Sequence, residues 1–88
     1  MIVHHIEYSQ NFVKELRNLP VVIQNRAVKT EKLFKANPLH PSLRLHRLQG
    51  KLDSLWSISV TLDYRIIFLR MPKGDVVFTS IGRHAIYR

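Results

Sequence analysis

A period of two opens the chain: Ile2, His4, Ile6 and Tyr8 fall on one side of an extended backbone, and Val3, His5 and Glu7 on the other. That alternation predicts a first strand over residues 2–8. Ser9 follows with a hydroxyl that can accept from the free N–H groups of a helix start. Phe12, Leu16 and Leu19 then recur at helical spacing, with Lys14 and Arg17 turned away. Pro20 has no N–H to donate and suits the first turn of a second helix, so residues 18–20 are predicted to be a tight junction. The second helix places Ile23, Ala27 and Phe34 inward, helped by Val28 and Leu33, and leaves Arg26, Lys29, Lys32 and Lys35 on a basic outer face. Asn37-Pro38 ends it, because a residue before proline is driven out of the helical region. Residues 9–37 therefore read as a helical hairpin.

The second half reads as extended. Pro38 and Pro41 frame an irregular link, and Leu43, Leu45 and Leu48 predict a short strand before a turn at Gly50. Trp56, Ile58, Val60 and Leu62 alternate with Ser57, Ser59, Thr61 and Asp63, the pattern of a half-buried strand. Residues 64–70 are apolar on both sides, as in a central strand. Pro72-Lys73-Gly74-Asp75 is a turn into a last strand over residues 76–81, so the final three strands form an antiparallel meander. The prediction is one α+β domain over residues 1–88: an N-terminal strand, a two-helix hairpin, then a three- to four-stranded antiparallel sheet with the helices on one face. The first strand is expected in the same sheet, since alone it cannot bury its apolar side.

Composition narrows the function classes. An 88-residue chain has room for one core, and its 45% apolar content is that of a folded domain. Without cysteine, disulfides, thiolate zinc sites and thiol nucleophiles are excluded. The first residues lack the basic-then-apolar order of a signal peptide, and no stretch approaches the roughly 20 apolar residues of a membrane span, which points to the cytoplasm. Fourteen Lys and Arg against six Asp and Glu leave a formal charge of +8. Such a surface attracts polyanions, so nucleic acid or an acidic protein is the expected partner.

Chemistry gathers near the C-terminus. Arg65 heads the apolar run Tyr64-Arg65-Ile66-Ile67-Phe68-Leu69, where a cation costs solvation unless an anion or dipole meets it. In an antiparallel meander the start of that strand and the end of the next share a sheet edge, which brings Arg65 towards Arg83 and His84. Cleavage of RNA by attack of the 2′-hydroxyl needs a base, an acid and positive charge on the phosphorane. His84 titrates in the right range to move the proton, and Arg65 offers a donor fork suited to phosphate oxygens. Spacing alone leaves Arg65 open between that role, a pairing with Asp63 and the capping of a carbonyl. It likewise leaves His46 open as a surface residue, Tyr87 as a packing aromatic and Asp63 as a turn residue. His4 and His5 point to opposite faces, and no histidine pair has metal-ligand spacing, so neither metal nor cofactor is expected.

Four segments together resemble the RelE/ParE toxin superfamily, and within it the RelE/StbE and YafQ-type toxins: Leu45-His46-Arg47-Leu48-Gln49-Gly50, Leu55-Trp56-Ser57-Ile58, Asp63-Tyr64-Arg65-Ile66-Ile67-Phe68 and Ile81-Gly82-Arg83-His84. The resemblance runs over essentially the whole chain. It implies the RelE-like toxin fold and the toxin of a type II toxin–antitoxin system, an mRNA endonuclease that cuts messages in the ribosomal A site and is neutralised by a cognate acidic antitoxin. On it, Arg65 matches the strand arginine of RelE-like members, His46, Asp63 and His84 match acid–base positions of YafQ-like members, and Tyr87 matches a terminal aromatic. Arg83, Lys51, Arg47 and Tyr64 are the expected RNA contacts. Ser59 stands where YafQ-like toxins carry a further histidine. Two other readings stay open: a ParE-like inhibitor of DNA gyrase without nuclease activity, and an inactive domain that still binds an antitoxin.

Overall fold

The computed structural model describes residues 1–49 and 55–83, which form seven elements. They are β1 (His5–Tyr8), α1 (Gln10–Arg17), α2 (Val21–Ala36), β2 (His46–Arg47), β3 (Leu55–Ser59), β4 (Tyr64–Arg70) and β5 (Asp75–Arg83), with short 3-10 turns at Pro41–Leu43 and Pro72–Gly74. The five strands make one sheet in the order β1-β5-β4-β3-β2. Strands β2 to β5 pair antiparallel as the meander reading requires, but β1 lies parallel to β5, with Ile6 opposite Val76 and Tyr8 opposite Phe78. The sheet is thus mixed rather than purely antiparallel. Alternation reports which face a strand buries; it carries no direction.

β1 is shorter than its pattern. Ile2 is 70% exposed while Val3 is buried, so the alternation breaks before the ladder begins. His4 N–H donates to the Gly74 carbonyl at 2.8 Å, and strand pairing starts one residue later. Gly74 holds φ +81°, and a Cβ there would come within 3.1 Å of the Ile2 carbonyl oxygen, so both the turn and the close approach need glycine.

Ser9 starts α1 as expected, accepting from the Phe12 N–H at 3.0 Å. Where β1 stops pairing, α1 takes over the edge of β5. Ser9 Oγ and Asn11 Nδ2 both donate to the Thr79 carbonyl, at 3.1 and 3.0 Å, and Glu15 Oε1 accepts from Ser80 Oγ at 2.6 Å and the Ile81 N–H at 3.1 Å. Thr79 is the extra residue of a bulge against β4, since Ile67 faces Ser80 and Phe68 faces Phe78. Its own hydroxyl donates to the Ile67 carbonyl at 3.1 Å and closes the gap in the ladder.

Pro20 sits just before α2 and caps it by accepting from the Ile23 and Gln24 N–H groups. The helix buries Ala27, Thr30 and Phe34, a stripe at helical spacing, and Thr30 satisfies its hydroxyl on the Arg26 carbonyl at 2.9 Å. Val28, expected to help fill the core, is 48% exposed because it lies about a quarter-turn from Ala27. The core centres on Phe34, Phe68 and Phe78, with Phe12 against Phe78 at 5.3 Å between ring centroids and Phe34 against Phe68 at 5.0 Å.

Two expectations fail in β3 and the bend after it. Leu62, placed inward by alternation, is 77% exposed, because β3 ends at Ser59 and residues 60–63 fold into a bend. There Thr61 Oγ1 accepts from the Asp63 and Tyr64 N–H groups. Ser57 and Ser59, assigned to a solvent face, are both buried. Among the described residues no helix is long and apolar enough to cross a membrane.

Glu15→Ala removes the acceptor of a strand N–H and a serine hydroxyl and is expected to cost about 1–3 kcal/mol, read by urea denaturation. The second prediction concerns Tyr8, whose hydroxyl donates to Glu31 across to α2; burial first, then that bond, push its pKa from 10.0 up to about 12. The fold holds the neutral phenol. An unfolded tyrosine ionises first, so stability falls as pH rises through that window. The urea midpoint should drop between about pH 10 and 12 in the native protein and less steeply in Tyr8→Phe.

Candidate functional site

The register of β2 to β5 sorts the candidate residues onto two faces. On the face that carries Phe68 and Ile58, packed into the core, lie Tyr64, Trp56 and, by alternation, Arg47 and Arg83. On the other face stand His46, Ser57, Ser59 and Arg65. His46 is opposite Ser57, Ser59 is opposite Arg65, and Arg65 is opposite Gly82. Three strands thereby bring a histidine, two hydroxyls and a guanidinium into adjoining rows.

Arg65 is 8% exposed, and its Nη1 donates to Ser59 Oγ at 2.9 Å. Gly82 across the ladder adds no side chain on that face. Burial, and secondarily the positive charge of Arg44, lower the Arg65 pKa from its ordinary value. The group stays cationic, since an arginine begins so far above neutrality. Burial and a neighbouring like charge both make the charged form costlier here than in water.

His46 is exposed on β2, with Nδ1 3.0 Å from the Arg44 carbonyl oxygen. A carbonyl only accepts, so Nδ1 carries the hydrogen in the neutral ring and Nε2 keeps its lone pair. The backbone therefore orients this imidazole with its basic nitrogen outside that bond. Ser57 beside it is fully buried, and its Oγ has no hydrogen-bond partner among the described residues.

The remaining candidates are placed elsewhere. The Arg83 guanidinium lies over the Tyr64 ring, 5.7 Å from its centroid. A hydrogen bond to Tyr64, then that residue's charge, raise the Arg83 pKa from its ordinary value, with a smaller contribution from Asp63. Meeting of the two strand ends is thus as expected, but Arg83 and Arg65 turn to opposite faces because they sit one register step apart. Asp63 is exposed in the bend, its backbone N–H held by Thr61. Arg47 pairs across from Trp56, whose ring is covered by Arg70 at 5.0 Å. Lys51, His84 and Tyr87 lie outside the described residues.

Sequence reasoning missed Arg44 and misread the serines. Arg44 has no motif around it; its position follows from a left-handed backbone, φ 47° and ψ 45°, after the Pro41–Leu43 turn. The serines carry a legible signal. A solvent face of a basic chain is usually studded with lysine and glutamate, whereas Ser57 and Ser59 are small and neutral, which suits a face that something else covers.

No protein-family model and no curated protein matches the chain. Solved structures do. YafQ from E. coli strain BL21(DE3) superposes with a TM-score of 0.73 at 25% identity, over 92% of this chain and 93% of that one. The YoeB/ParE toxin from Agrobacterium tumefaciens reaches 0.75 at 12% identity, over 92% and 99%. A chain of the RelBE2 toxin–antitoxin complex from Mycobacterium tuberculosis reaches 0.72 at 19%, over 97% and 95%. The E. coli DinJ–YafQ toxin–antitoxin complex supplies a further match, at 0.70 and 25% over 92% of both chains.

Ser59→Ala removes an acceptor from the Arg65 guanidinium and should destabilise the protein by about 1–3 kcal/mol in urea unfolding, whereas Ser59→Thr, which keeps the hydroxyl, should cost less.

Proposed function

We propose that this chain, whose fold is that of the RelE/YafQ-like toxins, is the toxin of a toxin–antitoxin pair and acts as a ribosome-dependent mRNA endonuclease. One observation carries the reading: Arg65, a buried guanidinium held by Ser59, shares a sheet face with an imidazole whose Nδ1 is tied to a carbonyl. That is the pairing of fixed positive charge and oriented base that phosphodiester cleavage requires.

In this mechanism His46 Nε2 takes the proton of the ribose 2′-hydroxyl as its oxygen attacks the adjacent phosphorus. Arg65 stabilises the charge that collects on the phosphorane oxygens. His84, which follows β5 directly in the chain, gives a proton to the departing 5′-oxygen, leaving a 2′,3′-cyclic phosphate and a 5′-hydroxyl. Asp63 and Tyr87 are assigned supporting roles in proton transfer, and Lys51, Arg47, Arg83 and Tyr64 contacts to the RNA. The reaction needs no metal or cofactor, and the exposed imidazole of His46 leaves room for a strand presented in the ribosomal A site.

Its inhibitor is an acidic antitoxin. The chain's +8 charge favours one, and α1 and α2 frame an apolar groove of about 190 Å³ lined by Phe12, Val13, Leu16 and Val28, a fit for the apolar side of an acidic amphipathic helix. Such a partner would act in the cytoplasm, where the message is translated.

His84→Ala and Arg65→Ala should each lower RNA cleavage by about 10²–10⁴-fold and relieve growth arrest, with native circular dichroism. His46→Ala should lower it too. Mapping 5′ ends of mRNA after induction reads this directly. Full toxicity in the first two variants sinks the assignment, and DNA-damage signalling without loss of message would turn it to the gyrase-inhibiting reading.

A further inference from the structure

The basic side of α2 is exposed throughout, but its cations do not share one setting. Arg26 and Lys29 line a groove of about 400 Å³ between α2 and the β3–β4 bend, which Arg44 also lines, while Lys32 and Lys35 lie outside it. Ser42, Ser59 and Thr61 add hydroxyls to its wall, and among the described residues no carboxylate lines it. The groove adjoins the Arg65 site: Ser59, whose hydroxyl accepts from Arg65, is one of its lining residues.

Arg44 reaches this place at a conformational cost. Its φ of 47° is the left-handed region that non-glycine residues avoid, and it is held there from both sides. Its N–H donates to the Pro41 carbonyl at 3.2 Å, and its own carbonyl takes the His46 Nδ1 hydrogen at 3.0 Å. The backbone conformation that orients His46 therefore also sets a second cation close enough to act on the charge of Arg65. Arg26, Lys29 and Arg44, gathered along a wall that among the described residues has no carboxylate, concentrate positive charge that phosphates relieve.

We infer that the Arg26–Lys29–Arg44 groove is a backbone subsite for single-stranded RNA, which seats the phosphates flanking the one held at Arg65. This rests on the reading of the Arg65 face as an RNA site. It assigns Arg26, Lys29 and Arg44 to binding rather than catalysis, and it makes the strand run from the sheet face around the end of β3 onto α2. Phosphate contacts of this kind position the strand without reading its bases.

The test uses a fluorescent 2′-O-methyl RNA of roughly 12 nucleotides, which lacks the attacking hydroxyl, and measures binding by anisotropy over a range of salt. In Arg26→Gln/Lys29→Gln/Arg44→Gln the slope of log K against log salt should shrink by about 2, at about 0.7 for each phosphate that is no longer neutralised. Lys32→Gln/Lys35→Gln/Lys73→Gln removes the same charge away from the groove and should keep the native slope. The inference fails if the groove variant keeps the native slope, if both variants lose it equally, or if the native protein does not bind the RNA. It also fails if the groove variant binds RNA normally and instead loses an acidic protein partner. Because the probe cannot be cut, a groove that binds RNA in a protein that cleaves none would refute the nuclease reading and leave the subsite standing.

Discussion

Every backbone N–H and C=O that leaves water must find a partner, and in this molecule that constraint bears hardest on the edge of β5. β1 covers that edge only as far as Phe78. Beyond it, the Thr79 carbonyl and the Ile81 N–H have no strand partner on that side, and it is the side chains of Ser9, Asn11 and Glu15 that meet them. One helix thus serves as a surrogate strand. Its docking fixes the bulge at Thr79, and the bulge fixes the register that sets Gly82 opposite Arg65 and Arg83 opposite Tyr64. Only the Gly82 side of the candidate site depends on this strand; His46, Ser57, Ser59 and Arg65 are brought together by β2, β3 and β4.

Arg65 shows the other side of the same constraint. A guanidinium in β4 interrupts a strand that is otherwise Ile66, Ile67 and Phe68, all buried. Such a residue contributes less to stability than an apolar one of similar volume, because its desolvation offsets what its hydrogen bonds return. The surroundings limit that cost with a serine acceptor across the ladder and a glycine on the other side, while Arg44 adds to it with a second positive charge. Local rules fail together at one place, and places of that kind are where function concentrates.

Much of this is legible in the chain itself. Ser9 as a helix start, Asn37-Pro38 as a helix stop, and the apolar run of β4 as a central strand all follow from local chemistry. Arg65 stands out as a cation in apolar company, and the fold buries it there. The pattern misleads where local alternation runs past the element that owns it: Leu62 continues the rhythm of β3 after the strand has ended, and Ile2 begins the rhythm of β1 before the ladder has formed. Ser57 and Ser59 read as a wet face because period two cannot say whether the second face of a strand is covered.

Residue order alone was enough to establish the elements, the one-core α+β architecture, the strongly positive net charge and the identity of the anomalous arginine, since each depends on residues within a few positions of one another or on a simple sum over the chain. Tertiary pairing was needed to decide that β1 runs parallel to β5, that Arg83 turns away from Arg65 to cover Tyr64, and that Arg44 comes close enough to act on Arg65. Those outcomes depend on register. A strand's partner, direction and offset are set by long-range pairing, and a shift of one residue sends a side chain to the opposite face, so no local pattern carries them.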